Sequence, residues 1–535
     1  GNEATKIESV KIDRLAPTIT FNPESKETLA RTVTVTPSIT ESGSGIAVCK
    51  YLWSTSATTP SAESSYSGTY GGTFTSTGTI TSPEGVTGLY YLHVYLKDNA
   101  GNVTTDRTDG TFNLTDKYVI SNKEELIQFN KDIYATNGLE EEEVLLVADI
   151  DYNDTWDSTI RPFKGTFKGN GHTIKGIRIE QTSNVKGFIS RNEGTIEDLH
   201  IENAYITTTT GQLGGIVGYN DATGIIEGCS FKGTITGNGG VGDVGGIAGQ
   251  NSGTIRRCYT EQGTIMNVTH NTTGGGTIGG IAGSNGGVLE ECYNAGSVTG
   301  TIACGIAGYH PNDGTTAKIN KCYNLGTIKA TGTAAGIGKG LTITNCYNKG
   351  TIEGGAACGI AMSEDGATVN YCYNAGRISG TAMAGGISGY LGASSTVQNC
   401  YNTGVVTNTG TSGTHIFTGG IVADTFGRTS VVRNCYNTGR ISGNKDNYAG
   451  GIMGYWRDDY CTLTECYYES GSATVGVQCY IDDDGTDSTQ GKDFTGQAQV
   501  RSGSMPTVLS IVGTTYFQAD TGINDGDPIL KWQVQ

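Results

Sequence analysis

Eight tyrosines, Tyr259, Tyr293, Tyr323, Tyr347, Tyr373, Tyr401, Tyr436 and Tyr467, each stand directly after a cysteine in a segment that recurs along the chain. If the cysteine points into a core, the tyrosine beside it points out, one ring per repeat. Aromatic rings stack on sugars, and rigid tyrosines lose little entropy on binding, so such a column is a candidate contact surface for glycan or protein. The competing reading is that the tyrosines stack on one another and stiffen a corner. Most are followed by asparagine (Asn294, Asn324, Asn348, Asn374, Asn402, Asn437), which reads as a turn ladder, with Thr260 and Tyr468 breaking it near the ends.

Other reactive side chains are sparse. Glycosidic cleavage needs two carboxylates across the bond, and lyase chemistry needs a base beside an acidic cluster. The densest charges in the repeats, Arg256 with Arg257 and Asp458 with Asp459, show no complementary partner at repeat spacing. His172, in the GNGH segment 169–172, lacks accompanying aspartates and reads as structural. No HExxH is present and the six histidines are scattered. Calcium is the one cofactor to consider: Asp482, Asp484 and Asp487 in DDDGTD, Asp149, Asp151, Asn153 and Asp157, and Asp98, Asn99, Gly101 and Asn102 all carry oxygen ligands at close spacing. Each set also reads as a polar turn. The expectation is no enzyme, with a β-helix polysaccharide lyase or hydrolase as the outlying alternative.

The 535 residues carry a net charge of -17, which gives no basis for docking on phosphate backbones, so no nucleic acid is expected. No stretch approaches the roughly 18 apolar residues that span a bilayer. The 83 glycines against 9 prolines punctuate structure, and the 16% charged fraction argues against disorder. Of 14 cysteines, nine (Cys229, Cys258, Cys292, Cys322, Cys346, Cys372, Cys400, Cys435 and Cys466) share one position of the repeat, which is a packing ladder before it is a disulfide framework. No CxxC pair or Cys/His cluster supports zinc.

The elements that position these residues follow from the pattern. Residues 1–15 are a polar lead-in. Residues 16–115 alternate apolar residues with Thr or Ser (TITFNP, RTVTVTPSIT, CKYLWS, YYLHVYLKD) and predict a β-sandwich with Cys49 and Trp53 in its core. Within 116–160, SNKEELIQFNKDIYATNG predicts a helix with Ser121 and Glu124 as a capping box, Leu126, Ile127, Phe129 and Ile133 as its apolar face, and Gly138 at its end. A helix there would cover the open end of a β-helix.

Residues 161–480 repeat a G-G-I-x-G, loop, G-x-I-x-x-C-Y-N-x-G-x-I unit. Its isoleucines, from Ile216 through Ile247, Ile281, Ile306, Ile337, Ile360, Ile387 and Ile421 to Ile452, fall 23 to 34 residues apart. Such steps fit coils of three short strands and are too short for propeller blades of about 40 residues. A parallel β-helix follows, right-handed by the crossover rule. The glycines permit close approach or positive φ. Ile and Cys are three apart in I-x-x-C, so a corner must lie between them for both to face inward. Asn345, Asn399 and Asn434, just before cysteines, suit the left-handed conformation such a corner needs. Residues 481–535 read as the carboxy-terminal closure.

GGIVGYN at 214–220, GGIAGQNSGTIRRCY at 245–259 and GGISGY at 385–390 resemble the GLUG repeats of bacterial surface proteins. FKGTFKGNGHTIKGIRI at 163–179 and GFISRNEGTIEDLHIENAYI at 187–206 are similar to that family's opening coils. They are also similar to the non-catalytic amino-terminal region of immunoglobulin-A-cleaving metallopeptidases. The run GLYYLHVYLKDNAGNVT at 88–104 resembles the last hairpin of bacterial immunoglobulin-like domains. The resemblance implies surface display and adhesion; with the polar start at Gly1 reading as a secreted chain whose signal peptide is already removed, the expectation is an all-β, monomeric adhesin of the bacterial surface that meets host or dietary glycan or extracellular protein. A passive stalk presenting other modules is the alternative.

Overall fold

The computed structural model describes residues 13–157, 161–181, 185–270, 276–309, 317–339, 342–363, 365–411, 416–425, 428–443, 448–457, 461–481, 487–488, 498–501 and 505–534. Gly1–Ser121 with Glu142–Val147 form one compact unit, and Asn122–Glu141 with Ala148–Gln535 the other.

The first unit is sandwich-like. Thr18–Asn22, Thr34–Thr40 and Ile80–Thr81 make a three-stranded antiparallel sheet, and Lys26–Ala30, Phe112–Leu114, Gly88–Asp98, Ile46–Ser54 and Gly71–Thr73 make the second, with Val103–Arg107 paired to Gly88–Asp98. The alternation read from Thr18–Asn22 appears as alternating exposed and buried positions, so Ile19 and Phe21 meet Val35, Trp53, Leu92, Leu96 and Phe112 in one core. Cys49 joins them, and Trp53 packs edge-on against Phe112 at 5.3 Å.

The second unit opens with helix α1, Lys123–Ala135. Its cap is Asn122, whose side-chain oxygen accepts the Glu125 N–H at 2.9 Å, so the start lies one residue later than the capping box on Ser121 predicts. Leu126, Phe129 and Ile133 are buried while Ile127 is half-exposed. Phe129 packs against Phe163, Phe167 and Phe188 of the opening coils, ring centres 5.3 to 6.5 Å apart. Gly138 follows with φ +90°.

Three parallel sheets run through the coils. One carries a strand per coil from Thr166–Lys168 to Cys461–Thr464. A 12-stranded sheet runs from Ile189–Asn192, parallel as far as Val477–Ile481, to Asp487–Ser488, which pairs antiparallel, and a 24-stranded sheet from Ile150–Thr155 to Ala498–Arg501 takes two strands from most coils, such as Tyr323–Asn324 and Ile328–Ala335. Register is residue on equivalent residue: Ile319 on Ile343, Tyr323 on Tyr347, Asn324 on Asn348. In the G-G-I segments the second glycine and the isoleucine form a bend between two strands. At each bend the isoleucine N–H reaches the next isoleucine carbonyl, as from Ile337 to Ile360 at 3.0 Å. The glycine requirement there is close approach: a Cβ on Gly305 would lie 2.0 Å from the Gly336 carbonyl oxygen.

The corner before each cysteine is present and left-handed. Asn345, Asn399 and Asn434 have φ of 53° to 56°, and so do Arg257, Glu291, Lys321 and Tyr371 at the same position, between 52° and 56°. The stacked corner imposes the conformation even on side chains that do not favour it.

Candidate functional site

Because the coils stack in register, each tyrosine lies on its counterpart in the next coil. From Tyr259 to Tyr401 consecutive ring centres are 4.8 to 5.1 Å apart and the planes differ by only 4° to 11°. The tyrosines do point away from the cysteine column, but their faces are taken by one another. A sugar cannot stack along this ladder; what points outward is the ring edge and hydroxyl.

Most of that edge is covered. Tyr259, Tyr293 and Tyr323 are half-buried, whereas Tyr347, Tyr373, Tyr401, Tyr436 and Tyr467 are buried in a cluster with Val508, Val512, Phe517 and Leu530. These come from helix α2, Met505–Val512, and from a hairpin of Phe517–Gln518 with Ile529–Leu530. Beyond Ala498–Arg501, which pairs on the last coil, the tail does more than the end closure read from sequence. It runs back along the coils, with Trp532 5.8 Å from Tyr347 and 6.1 Å from Tyr323. Phe517 meets Tyr401 edge-on at 5.5 Å. Polar contacts fix it: the Trp532 indole donates to the Asn345 carbonyl at 3.1 Å, Gln533 to the Tyr373 hydroxyl at 2.9 Å and Asn524 to that of Tyr401 at 3.0 Å. The Tyr401 hydroxyl donates to the Pro528 carbonyl, and Lys349 to that of Ile523. Burial pushes the hydroxyl of Tyr293 up to about 12 and those of Tyr347, Tyr373 and Tyr401 higher.

Inside the coils the cysteines form the expected column, every one of the nine fully buried and unpaired by disulfide. Burial raises the thiols of Cys258, Cys292, Cys322, Cys346, Cys400 and Cys466 well above their ordinary value. At Cys372 and Cys435 burial is opposed by hydrogen bonds from flanking thiols, which pull the other way. Desolvation of an anion in this apolar column dominates there too.

The asparagines turn inward, and their ladder is a core feature. Each amide donates to the next, from Asn294 through Asn324, Asn348, Asn374 and Asn402 to Asn437, at 2.7 to 2.8 Å, and also to the glycine carbonyl two residues on. A second ladder, Asn192 to Asn220 to Asn251 to Asn285, each at 2.8 Å, is one the sequence reading misses.

The surface charges pair between coils. Arg256 and Arg257 both reach Glu227, one coil away, which corrects the expectation that they lack a partner at repeat spacing. Lys321 meets Glu291 at 2.8 Å, and Lys329 meets Glu353 at 3.0 Å. Asp458 and Asp459 lie outside the described residues. His172 Nδ1 is 3.1 Å from Asp149. The Thr173 N–H and then His172 hold that carboxyl below its usual range. Asp157 is drawn to Lys186 instead, at 3.2 Å, so Asp149 and Asp157 have separate partners.

Asp98 accepts from the backbone and side-chain amides of Asn102, at 2.8 and 2.7 Å, as a turn requires. Among the described residues, the carboxylates of Asp13 and Glu41 also lie within 4.8 Å of that of Asp98 and of each other. Asp482 and Asp484 lie outside the described residues, as does the side chain of Asp487.

One groove opens on the 24-stranded sheet. The corner within Ile352–Cys358 is one residue shorter than its neighbours: Lys329 to Thr333 faces Glu353 to Ala356, and Gly354 to Ala356 faces Gly380 to Met383. The notch is about 510 Å³, with Gly354 and Gly355 among its lining residues beside Thr299, Thr331, Ser379 and Thr381 and the Lys329–Glu353 pair.

The family model of the GLUG motif matches residues 209–236. Halomucin of Haloquadratum walsbyi (strain DSM 16790 / HBSQ001) is 34% identical over 97 residues, 18% of this chain; the match spans about 1% of halomucin's length. Among solved structures, a proposed immunoglobulin A1 protease from Bacteroides ovatus aligns at 20% identity over 78% of this chain and 92% of its own, with a TM-score of 0.24. A Family 28 exopolygalacturonase of Yersinia enterocolitica aligns at 9% identity over 88% of this chain and 96% of its own, with a TM-score of 0.22. Neither alignment bears on activity. The chain thus carries a GLUG motif at 209–236 within a parallel β-helix whose G-G-I and Cys-Tyr-Asn pattern stacks coil on coil.

Proposed function

We propose that this chain works outside the cell, at a bacterial surface, as an adhesin-like scaffold whose β-helix binds glycan or extracellular protein. The observation that carries the reading is the groove beside the Lys329–Glu353 pair. It crosses several coils, and its hydroxyls and paired charges offer donors and acceptors to a polar chain lying along the rod. Glycines in its wall let a ligand approach the backbone closely. The ladder tyrosines enter this reading through their edges, at Tyr259 and Tyr293, rather than through ring faces. Pairing of Glu227, Glu291 and Glu353 with cations on neighbouring coils leaves these carboxylates engaged, which favours a scaffold over a polysaccharide-cleaving enzyme.

The test is a glycan and extracellular-matrix array probed with wild type and with a variant carrying Thr331→Ala, Lys329→Ala and Thr381→Ala, with calcium and with chelator. Binding reduced at least tenfold in the variant, its circular dichroism unchanged, supports the groove as the contact surface. Wild type that binds nothing on the array overturns the adhesin reading for those ligands and leaves a passive stalk as the better account.

A further inference from the structure

The segment covering the tyrosine ladder stands apart from the sheets it lies on. Its hairpin, Phe517–Gln518 with Ile529–Leu530, pairs only with itself and adds no strand to any sheet of the β-helix. It is held by side chains: Phe517 and Trp532 against the ring edges, and hydrogen bonds to hydroxyls and to the Asn345 carbonyl. The ladder does not need this cover for its own geometry. Tyr259 and Tyr293, which the segment does not reach, stack at 4.8 Å and 4°, the same as Tyr323 and Tyr347 beneath Trp532. A surface that is complete without its cover, and a cover attached without backbone pairing, are two separable parts.

We propose that residues 505–534 are a detachable clasp, the chain's own occupant of a docking surface along the tyrosine ladder that otherwise accepts an apolar, aromatic-bearing polypeptide segment. The chemistry of the partner is read from the occupant. The clasp presents valine, leucine, phenylalanine and tryptophan to the ring edges, and main-chain carbonyls and side-chain amides to the hydroxyls. A polypeptide of that character satisfies the ladder, and a sugar, which needs exposed ring faces, does not. The loop of the hairpin adds strain. Asp527 is half-buried and faces Asp520 and Asp525 of its own loop and Glu469 of the coils, with Lys349 and Tyr401 the other ionisable groups against the loop. Release separates Asp527 from Glu469 and returns its carboxyl to water, while Asp520 and Asp525 move with it. This inference rests on the reading of the β-helix as a binding scaffold and narrows one of its partners to protein.

The experiment uses the full chain as wild type, as the Phe517→Ala, Trp532→Ala variant, and as that variant with Tyr347→Ala and Tyr373→Ala added. The probe is a fluorescein-labelled synthetic peptide of residues 505–534, read by anisotropy, alongside hydrogen exchange of the hairpin. The expected result is faster exchange in the clasp variant, peptide binding at least tenfold tighter than to wild type, and loss of that binding when the ladder tyrosines are removed. An opened hairpin with no gain in peptide binding overturns the proposal. Equal protection of the hairpin in wild type and clasp variant overturns it too, since a clasp held by these rings does not survive losing both. Wild type that binds ligands on the array while the peptide result is negative removes only the clasp. The reverse removes only the adhesin reading.

Discussion

At the scale of single residues, the interior of this protein is unusual in using amides and thiols where most cores use only hydrocarbon. A buried amide is tolerated only if its hydrogen bonds are made, and stacking in register makes them automatically, each Asn being donor to the next coil and acceptor from the last. Asn348 donates to Asn374 and to the Gly350 carbonyl and accepts from Asn324 and from the Gly350 N–H. Asn348→Ala leaves these groups unmatched and is expected to cost roughly 2–3 kcal/mol in urea denaturation. A cost below about 0.5 kcal/mol would mean that water or relaxation replaces the ladder. The thiols predict a chemical result. The side chains of 13 of the 14 cysteines are described, all free and buried. With burial holding most ladder thiols protonated, native protein at pH 8 should take up at most one equivalent of a thiol reagent, and all 14 once unfolded in urea. Rapid native labelling of several sites would show that the column opens.

At the scale of elements, the repeat was legible because its period fixes its geometry. The spacing of Ile and Cys demanded a corner, and the corner exists with the handedness the asparagines implied. The second ladder was marked by the repeat and passed over: Asn220, Asn251 and Asn285 each end a strand four residues after the G-G-I isoleucine, with glycine close behind, as in Asn251 and Gly253 or Asn285 and Gly287. The ring stacking of the tyrosines was open as one of two readings, and register decided it. The clasp gave no periodic sign, only an apolar run at 505–512 with Phe517 and Trp532 after it. Its attachment carries a pH dependence. Burial, then Glu469, Asp520 and Asp525, push the Asp527 carboxyl from 3.8 up to about 6. A carboxyl whose folded value is raised contributes stability that is present below about pH 4 and lost as pH rises through 6. Two units correspond to about 3 kcal/mol, reduced to roughly 1–2 for a group this exposed. Hydrogen exchange of 517–530 should therefore be slower at pH 4.5 than at pH 7.5 after correction for intrinsic rate, and Asp527→Asn should flatten the difference. A hairpin more protected at pH 7.5 would reverse the sign and refute the assignment.

At the scale of the β-helix as a whole, stability is close to a sum over coils and their neighbouring interfaces, so coils are interchangeable in a way ordinary cores are not. Deleting 230–258 joins Cys229 to Tyr259 and removes one coil in phase, away from the clasp. Deleting 347–372 joins Cys346 to Tyr373 and removes one coil from beneath it. Both chains keep the sheets in register, and both should fold with similar loss of stability by circular dichroism and urea titration. They should differ at Trp532. In the first, its contacts with Tyr323 and Tyr347 are untouched, and its emission and quenching by acrylamide should match wild type. In the second, the ladder beneath the clasp is one ring shorter while the clasp keeps its length. Trp532 must then shift toward Tyr293 or lose its anchor, and its quenching should rise about twofold or more. Equal tryptophan environments in both deletions would mean that the clasp follows the coils as part of one cooperative core rather than docking on a surface that exists without it.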